Sequence, residues 1–126
     1  MNKITGILML FFISSCSIAN DNPIVIPGDN NQRLIGDNLA LTTESFFKAY
    51  MSSNIEQRRL AEMYLVGVID SSEGESWCGY RVASPDAIQE QVYIGLKRAL
   101  EKSPKMRASA AIISRLHDLL PCKAKQ

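Results

Sequence analysis

The sequence predicts an all-α protein, a small helical bundle of about four helices that one disulfide staples together. Three observations lead to this fold class. Apolar residues recur at spacings of three and four in four separate segments after residue 40. Helix-start signals precede several of these segments, and no stretch of useful length alternates between apolar and polar residues as a strand does. Two cysteines lie in the same part of the chain.

Length and composition are those of an ordinary globular chain with one domain. The 126 residues are 46% hydrophobic and 21% charged, a balance that excludes wholesale disorder. The formal charge is +1, whereas a nucleic-acid binder carries a clear basic excess, so no nucleic-acid partner is predicted. The charge is unevenly spread. Residues 20–75 hold four bases and nine acids, and residues 97–126 hold eight bases and two acids, a dipolar pattern that can steer a partner.

Residues 1–19 are typical of an export signal. Lys3 gives a positive start, residues 4–13 are apolar at all but two positions, and small residues follow. The apolar run is too short to span a bilayer, which needs about 20 residues. Two cleavage sites fit: one after Ala19, and one at a lipobox-like sequence that would make Cys16 the lipidated first residue. Both routes export the protein to the cell envelope, either free of the membrane or anchored to it by lipid.

Cys78 and Cys122 are the cysteines that remain in the folded part, and an oxidising compartment favours their pairing. The closed loop would contain 45 residues. The chain-entropy relation gives such a disulfide about 4 kcal/mol of stabilisation, a large share of the roughly 5–15 kcal/mol typical of a domain. The alternative is a free catalytic thiol, but no nearby residues are arranged to produce a thiolate.

Residues 20–40 are predicted to form a flexible linker before a helical domain at residues 41–126. Asn, Asp, Pro and Gly crowd the linker, and residues of these types at such density rarely lie inside regular structure. Within it, Ile24-Val25-Ile26 is long enough for either a short strand or a docking segment, and the sequence does not decide between them.

The first two helices are predicted at residues 43–52 and from a cap at Ser53 to about Asp70. Ser53-Asn54-Ile55-Glu56 matches the S-x-x-E capping box, which marks the second helix start. Residues 65–69 are apolar on all sides, which predicts that this end of the helix is enclosed. Gly67 costs helix stability, so it predicts the close approach of another helix.

A polar loop at residues 71–76 and an extended stretch at residues 80–82 are predicted next. Ser84-Pro85-Asp86 then combines a serine cap, a first-turn proline and an acid, so a third helix should run from there to about Lys102. Ser103-Pro104 repeats the signal and predicts that a fourth helix begins at once, ending before Pro121. Its apolar stripe would comprise Met106, Ala110, Ile113, His117 and Leu120, with Ile112, Leu116 and Leu119 alongside it.

No residue pattern points to catalysis, a metal or a cofactor. His117 is the only histidine, and its neighbour Asp118 would point about 100° away round a helix. A zinc site needs several donors, and Cys78 and Cys122 are expected to bind each other. The common hydrolase, metalloprotease and phosphate-loop motifs are missing from the sequence. We therefore predict that the chain is not an enzyme; an enzyme that uses His117 or a free Cys78 is the weakest hypothesis.

The acidic loop before Cys78 is the candidate binding site. A disulfide at its base would restrict the loop beforehand, so it would lose little entropy on entering a partner's cleft. Trp77 would be either a lid over the disulfide or an anchor of the interface, because tryptophan is enriched at binding hot spots. The residues predicted to contact a partner protein are Asp70, Ser72, Glu73, Glu75 and Trp77.

An ordered series of short motifs runs through residues 43–123. A Tyr-x-x-Gly-x-x-Asp stretch at residues 64–70 comes first, and Cys78 precedes the third helix. Pro104 and Arg107 follow that helix, and Leu120-Pro121-Cys122 ends the series. In this order and spacing the series resembles the Rap/Tai family of immunity proteins, which protect bacteria from type VI secretion amidase effectors.

The resemblance implies a periplasmic, all-helical and usually homodimeric inhibitor with no chemistry of its own. Such a protein binds a peptidoglycan amidase delivered by neighbouring cells and blocks its cysteine–histidine active site by inserting a loop. This chain departs from the family at Cys78-Gly79-Tyr80, where many members have Cys-Ile/Val-Pro. It also lacks the second cysteine pair of some members, and a lipobox would be unusual. The alternative function, from another class, is a cell-envelope lipoprotein with a structural or adaptor role.

Overall fold

The computed structural model describes residues 22–28 and 33–123, and these contain four α-helices and no β-strand. Helix α1 spans Thr43–Tyr50, α2 spans Ile55–Ser72, α3 spans Pro85–Lys102 and α4 spans Ala108–Leu119. The predicted all-α class and the number of helices are confirmed. None of the helices in these two ranges has both the length and the hydrophobicity to cross a membrane. The predicted export signal, with Cys16 and both cleavage sites, lies outside the described residues.

Every pair of helices packs together except α2 and α3. Helices α1 and α4 each contact all three other helices, and the most extensive contact is between α3 and α4. Because α2 and α3 are held apart by the other two, a groove remains between them. The core is formed by large side chains that are fully excluded from solvent: Phe46, Trp77, Val92, Leu96, Ile112 and Leu116.

The segment around Ile24 docks on α2 through a buried glutamine. The backbone N–H of Ile24 donates to Oε1 of Gln57 at 3.0 Å, and Nε2 of Gln57 donates to the Ile24 carbonyl at 2.9 Å. Gln57 is fully buried, so these two hydrogen bonds satisfy an amide that would otherwise be costly to bury. Of the two alternatives for residues 24–26, the structure shows the docking segment.

The caps of α2 and α3 show where local signals succeed. Ser84 caps α3 as predicted, and its hydroxyl accepts a hydrogen bond from the Ala87 amide at 3.2 Å. Helix α2 begins one residue later than predicted, because Asn54 is the cap and accepts from the Glu56 amide at 2.9 Å. Asparagine is at least as good a cap as serine, so the predicted capping box at Ser53 is wrong.

The start of α4 is a second correction. Ser103 ends α3, with its amide bonded to the Ala99 carbonyl, and residues 104–107 form a turn before α4 begins at Ala108. The polar groups of this turn bond to the chain that enters α1. The Met106 carbonyl accepts from the Thr43 amide at 2.7 Å, and the Ala108 amide donates to the Leu41 carbonyl at 2.9 Å. These long-range bonds override the Ser-Pro signal.

The later start of α4 goes with a buried face that differs in part from the predicted one: Ile112 and Leu116 are buried, but the centre of the predicted stripe is not. His117 and Ala110 are exposed, and Met106 is 41% exposed. The buried side chains of α4 are Ala108, Ala111, Ile112 and Leu116.

The close approach of two helices occurs at a different glycine from the one predicted. Gly67 is exposed, and a Cβ built on it would meet nothing within 4 Å. The neighbouring Val66 is 56% exposed, so the predicted enclosure of this end of α2 is wrong. The close helix approach occurs instead at Gly95 in α3, where a Cβ would lie 2.6 Å from the Cβ of Arg115 in α4.

Candidate functional site

The turn that follows α2 is closed by its own hydrogen bonds. We call residues 73–77 the acidic turn. The Gly74 amide donates to the Trp77 carbonyl at 2.7 Å, and the Ser76 amide donates to the Ser72 carbonyl at 2.9 Å. Gly74 has φ of 85°, a left-handed conformation that glycine adopts without a steric penalty. The backbone of the turn is therefore well defined.

Trp77 forms the floor of the acidic turn. Its side chain is fully buried, and its indole Nε1 donates to the hydroxyl of Ser72 at 3.0 Å. That hydroxyl in turn donates to the Val68 carbonyl at 2.6 Å, so both buried polar groups are satisfied. The structure thus places two predicted contact residues, Ser72 and Trp77, beneath the turn, where they support its shape and do not face solvent.

The disulfide holds the base of the acidic turn against the end of α4. Cys78 and Cys122 are paired, with their Cα atoms 4.8 Å apart, which confirms the predicted bridge. The Cys78 amide also donates to the Leu120 carbonyl at 2.8 Å. Gly79 comes next and is buried. A Cβ on it would lie 2.5 Å from Leu120 Cδ1 and 2.8 Å from the Trp77 ring.

His117 holds the acidic turn from α4 as well. Its Nδ1 lies 2.7 Å from the Ser76 carbonyl oxygen. A carbonyl oxygen can only accept, so Nδ1 carries the hydrogen and donates it. This contact joins residues 41 positions apart, and the sequence contained no signal for it. The sequence prediction of His117 as a member of an apolar stripe therefore missed the residue's role.

The acidic side chains in and beside the acidic turn lie at an unfavourable place for helix stability. Asp70 and Glu75 are exposed, Glu73 is half-buried, and the last turn of α2 contains no base. The carboxyl end of a helix is the negative end of its dipole, where bases stabilise and acids destabilise. The chain therefore concentrates negative charge here against the local preference of the helix.

Tyr80 lies close enough to these acids to interact with their charges. Its ring packs edge-on against Trp77, with the ring centroids 5.3 Å apart. Partial burial of the phenol, followed by the charges of Asp70 and Glu73, raises the pKa of Tyr80 above its usual value. Residues 80–82 form a turn in which the amides of Val82 and Ala83 both donate to the Gly79 carbonyl, so the predicted extended stretch is wrong.

A groove of about 630 Å³ begins beside the acidic turn and runs between α2 and the start of α3. It lies where these two helices are held apart, and it shares Asp70 and Tyr80 with the surroundings of the turn. Apolar side chains form most of its wall: Leu65, Val66, Ile69, Tyr80, Ala83, Pro85 and Ile88. Among the residues that the structure describes, no group of histidine, cysteine and acidic side chains is arranged to hold a metal ion.

A comparison with protein families identifies the family of this chain. The family model of the Rap1a immunity proteins matches residues 36–122. The chain belongs to the Rap1a immunity protein family. The matched range contains all four helices, the acidic turn and both cysteines of the disulfide. A search of curated proteins finds no match to this Rap1a family member.

Proposed function

We propose that this Rap1a family member is a periplasmic immunity protein that binds a peptidoglycan amidase effector of the type VI secretion system and occludes its active site. It would protect the producing cell from its own effector and from that of its siblings. The protein would act by steric occlusion alone, without chemistry of its own. Membership of an immunity protein family supports the binding role, and the resemblance to the Rap/Tai proteins supports an amidase as the target.

The observation that carries this proposal is negative charge on a hydrogen-bonded turn at the carboxyl end of a helix, where acids destabilise the helix. Asp70, Glu73 and Glu75 surround the carboxyl end of α2, where each acid costs about 0.3–1 kcal/mol of helix stability at an exposed site. Sequences break local rules of this kind mainly at functional sites. Binding to a cleft with basic residues would give these acids a favourable role.

The supports of the acidic turn suit it to insertion into a cleft. The disulfide, the hydrogen bond from His117 and the buried Trp77 hold it from below and from the side. A turn already held in its bound shape gives up little conformational entropy on association. We assign effector contact to Asp70, Glu73 and Glu75, and a supporting role to Ser72 and Trp77.

We further propose that the protein is exported and forms a homodimer. The export signal at residues 1–19 supports the periplasm, with Cys16 as a lipid anchor if the lipobox is the site of cleavage. A standard complex buries about 800 Å² from each partner, which is a small part of the surface of a four-helix domain. The surface therefore has room for an effector contact and a dimer contact.

Charge reversal of the acidic turn tests the proposed function. In the variant Glu73→Lys/Glu75→Lys, we expect affinity for the amidase encoded beside this gene to fall by about tenfold or more, because attraction becomes repulsion. Thermal stability should not fall and should rise slightly, because neither side chain belongs to the core and the two lysines replace acids at the carboxyl end of α2. Calorimetric titration and thermal unfolding measure the two effects.

The matched control is Glu90→Lys/Glu101→Lys, which changes net charge equally at two exposed positions on α3. It should bind the amidase like the wild type. Equal loss of affinity in both double variants would show a long-range charge effect and remove the site from the turn. If a strain without this gene survives dense co-culture with its effector-armed parent, the proposed function itself is wrong.

A further inference from the structure

We propose that the groove between α2 and α3 is a second contact site for the effector, and that it takes an apolar side chain flanked by basic residues. This inference rests on the proposed function and extends it from the acidic turn to the adjoining surface. Three features of the structure support it: the apolar wall of the groove, the sign of its charge, and its continuity with the turn.

The groove exposes apolar surface that the fold does not need to expose. The backbones of helices α2 and α3 do not approach each other closely, with no pair of Cα atoms within 8 Å, and the space of about 630 Å³ between them is open. Val66 and Tyr80 on its wall are 56% and 49% exposed, and the adjacent Val82 is 76% exposed. Single exposed apolar residues are common, but an apolar groove with an exposed apolar wall is typical of an interaction site.

The charges at the groove are negative. Within the described ranges, Glu62 and Asp70 are the charged residues on its wall. Arg59 pairs with Glu62 at 2.8 Å, whereas Asp70, at the end nearest the acidic turn, forms no salt bridge with a described residue. Burial first, and then the charges of Asp70 and Glu73, raise the pKa of Tyr80 on the same wall. A segment that fills this groove should therefore present basic side chains beside its apolar one.

Continuity with the acidic turn indicates which protein supplies that segment. Tyr80 belongs to the groove wall and also packs on Trp77, the floor of the turn. A partner that covers the turn thus reaches the near end of the groove without a gap. A second copy of this chain, packed by a two-fold axis, would place the same negative patch on both sides of the contact, which electrostatics disfavours.

A pair of substitutions with opposite charge distinguishes these occupants. Val66 is exposed, so Val66→Arg and Val66→Glu should both fold, as thermal unfolding can verify. For an apolar segment flanked by bases, Val66→Arg should weaken binding of the adjacent-gene amidase by about tenfold, and Val66→Glu should do so by less than about threefold. Ile55→Arg and Ile55→Glu are the controls, because Ile55 lies on the same helix, is 55% exposed and does not line the groove.

Each other result contradicts the inference in a recognisable way. If the wild type binds the amidase and both Val66 variants bind equally well, the groove is no contact site, while the proposed function stands. If both variants weaken binding equally and light scattering shows that they convert a dimer to monomers, the groove takes a second copy of this chain. If the wild type does not bind the amidase, the proposed function fails and the inference fails with it.

Discussion

His117 shows how one side chain can set the geometry of the acidic turn. It is exposed, and its Nδ1 donates to the Ser76 carbonyl at 2.7 Å. A hydrogen bond of this kind contributes about 0.5–1.5 kcal/mol, which is small beside the stability of a domain. Its effect should therefore be visible in binding by the acidic turn more than in folding.

We predict that His117→Ala speeds dissociation of the amidase by about threefold to tenfold, the equivalent of one lost hydrogen bond. His117→Asn should restore the wild-type rate, because its Nδ2 can take the place of the imidazole Nδ1 and donate to the same carbonyl. Biolayer interferometry measures the rates, and Asp118→Ala is the exposed neighbouring control. An alanine variant with the wild-type dissociation rate would mean that the other supports hold the turn without His117.

Gly79 explains a local departure from the Rap/Tai pattern. Many members of that family have isoleucine or valine after the cysteine, where this chain has glycine. Here Trp77 and Leu120 fill the space that such a side chain would need. Glycine at this position therefore leaves the space to Trp77 and Leu120, and the acidic turn keeps its support.

At the scale of the elements, α3 and α4 form the tightest contact of the bundle. Gly95 allows it, because the stem of Arg115 lies where a side chain at residue 95 would be. Arg115 also reaches Gln91 of α3 through its guanidinium group. This closely packed helix pair holds the end of α4, with His117 and the disulfide, against the acidic turn.

We predict opposite effects of alanine at the two helix glycines. Gly67→Ala should stabilise the protein by about 0.5–1 kcal/mol, because it improves helix propensity at an open position. Gly95→Ala should destabilise it by about 1–3 kcal/mol despite the same gain, because the new Cβ forces α3 and α4 apart. Denaturant unfolding measures both changes. If both variants gained stability, the close approach of these helices would be wrong.

At the scale of the whole molecule, the disulfide connects the base of the acidic turn to the carboxyl end of the bundle. It joins residues 44 positions apart, so it restricts the unfolded chain and fixes the turn in the folded one. Charge is segregated along the same molecule. Residues 20–75 carry nine acids and four bases, whereas residues 97–126 carry eight bases and two acids. This arrangement can orient a partner before contact.

We predict that Cys78→Ser/Cys122→Ser loses about 4 kcal/mol of stability, the value that the chain-entropy relation gives for this loop. Binding of the amidase should weaken as well, because the acidic turn is no longer held at its base. Denaturant unfolding tests the first effect and calorimetric titration the second. Thiol titration of the denatured, unreduced wild type, made without Cys16, should find no free thiol; two free thiols would disprove the disulfide.

The fold class, the four helices and the disulfide could be predicted from the sequence because they depend on local or pairwise signals. The cap at Ser84 and the end of α3 at Lys102 follow from residues within one helical turn. Pairing of Cys78 with Cys122 was predicted because they are the two cysteines of the folded part and the predicted export signal implies an oxidising compartment. The candidate loop was also found, since its acids and its cysteine are adjacent in the chain.

The tertiary structure alone decided which surfaces these elements present. The start and the buried face of α4 depend on backbone hydrogen bonds with Leu41, which accepts, and with Thr43, which donates. Both residues lie more than sixty positions earlier in the chain. The close approach at Gly95, the support from His117 and the groove between α2 and α3 likewise arise from residues far apart in sequence. Periodicity and caps determine where a helix forms, but packing between distant segments determines which of its faces is left for a partner.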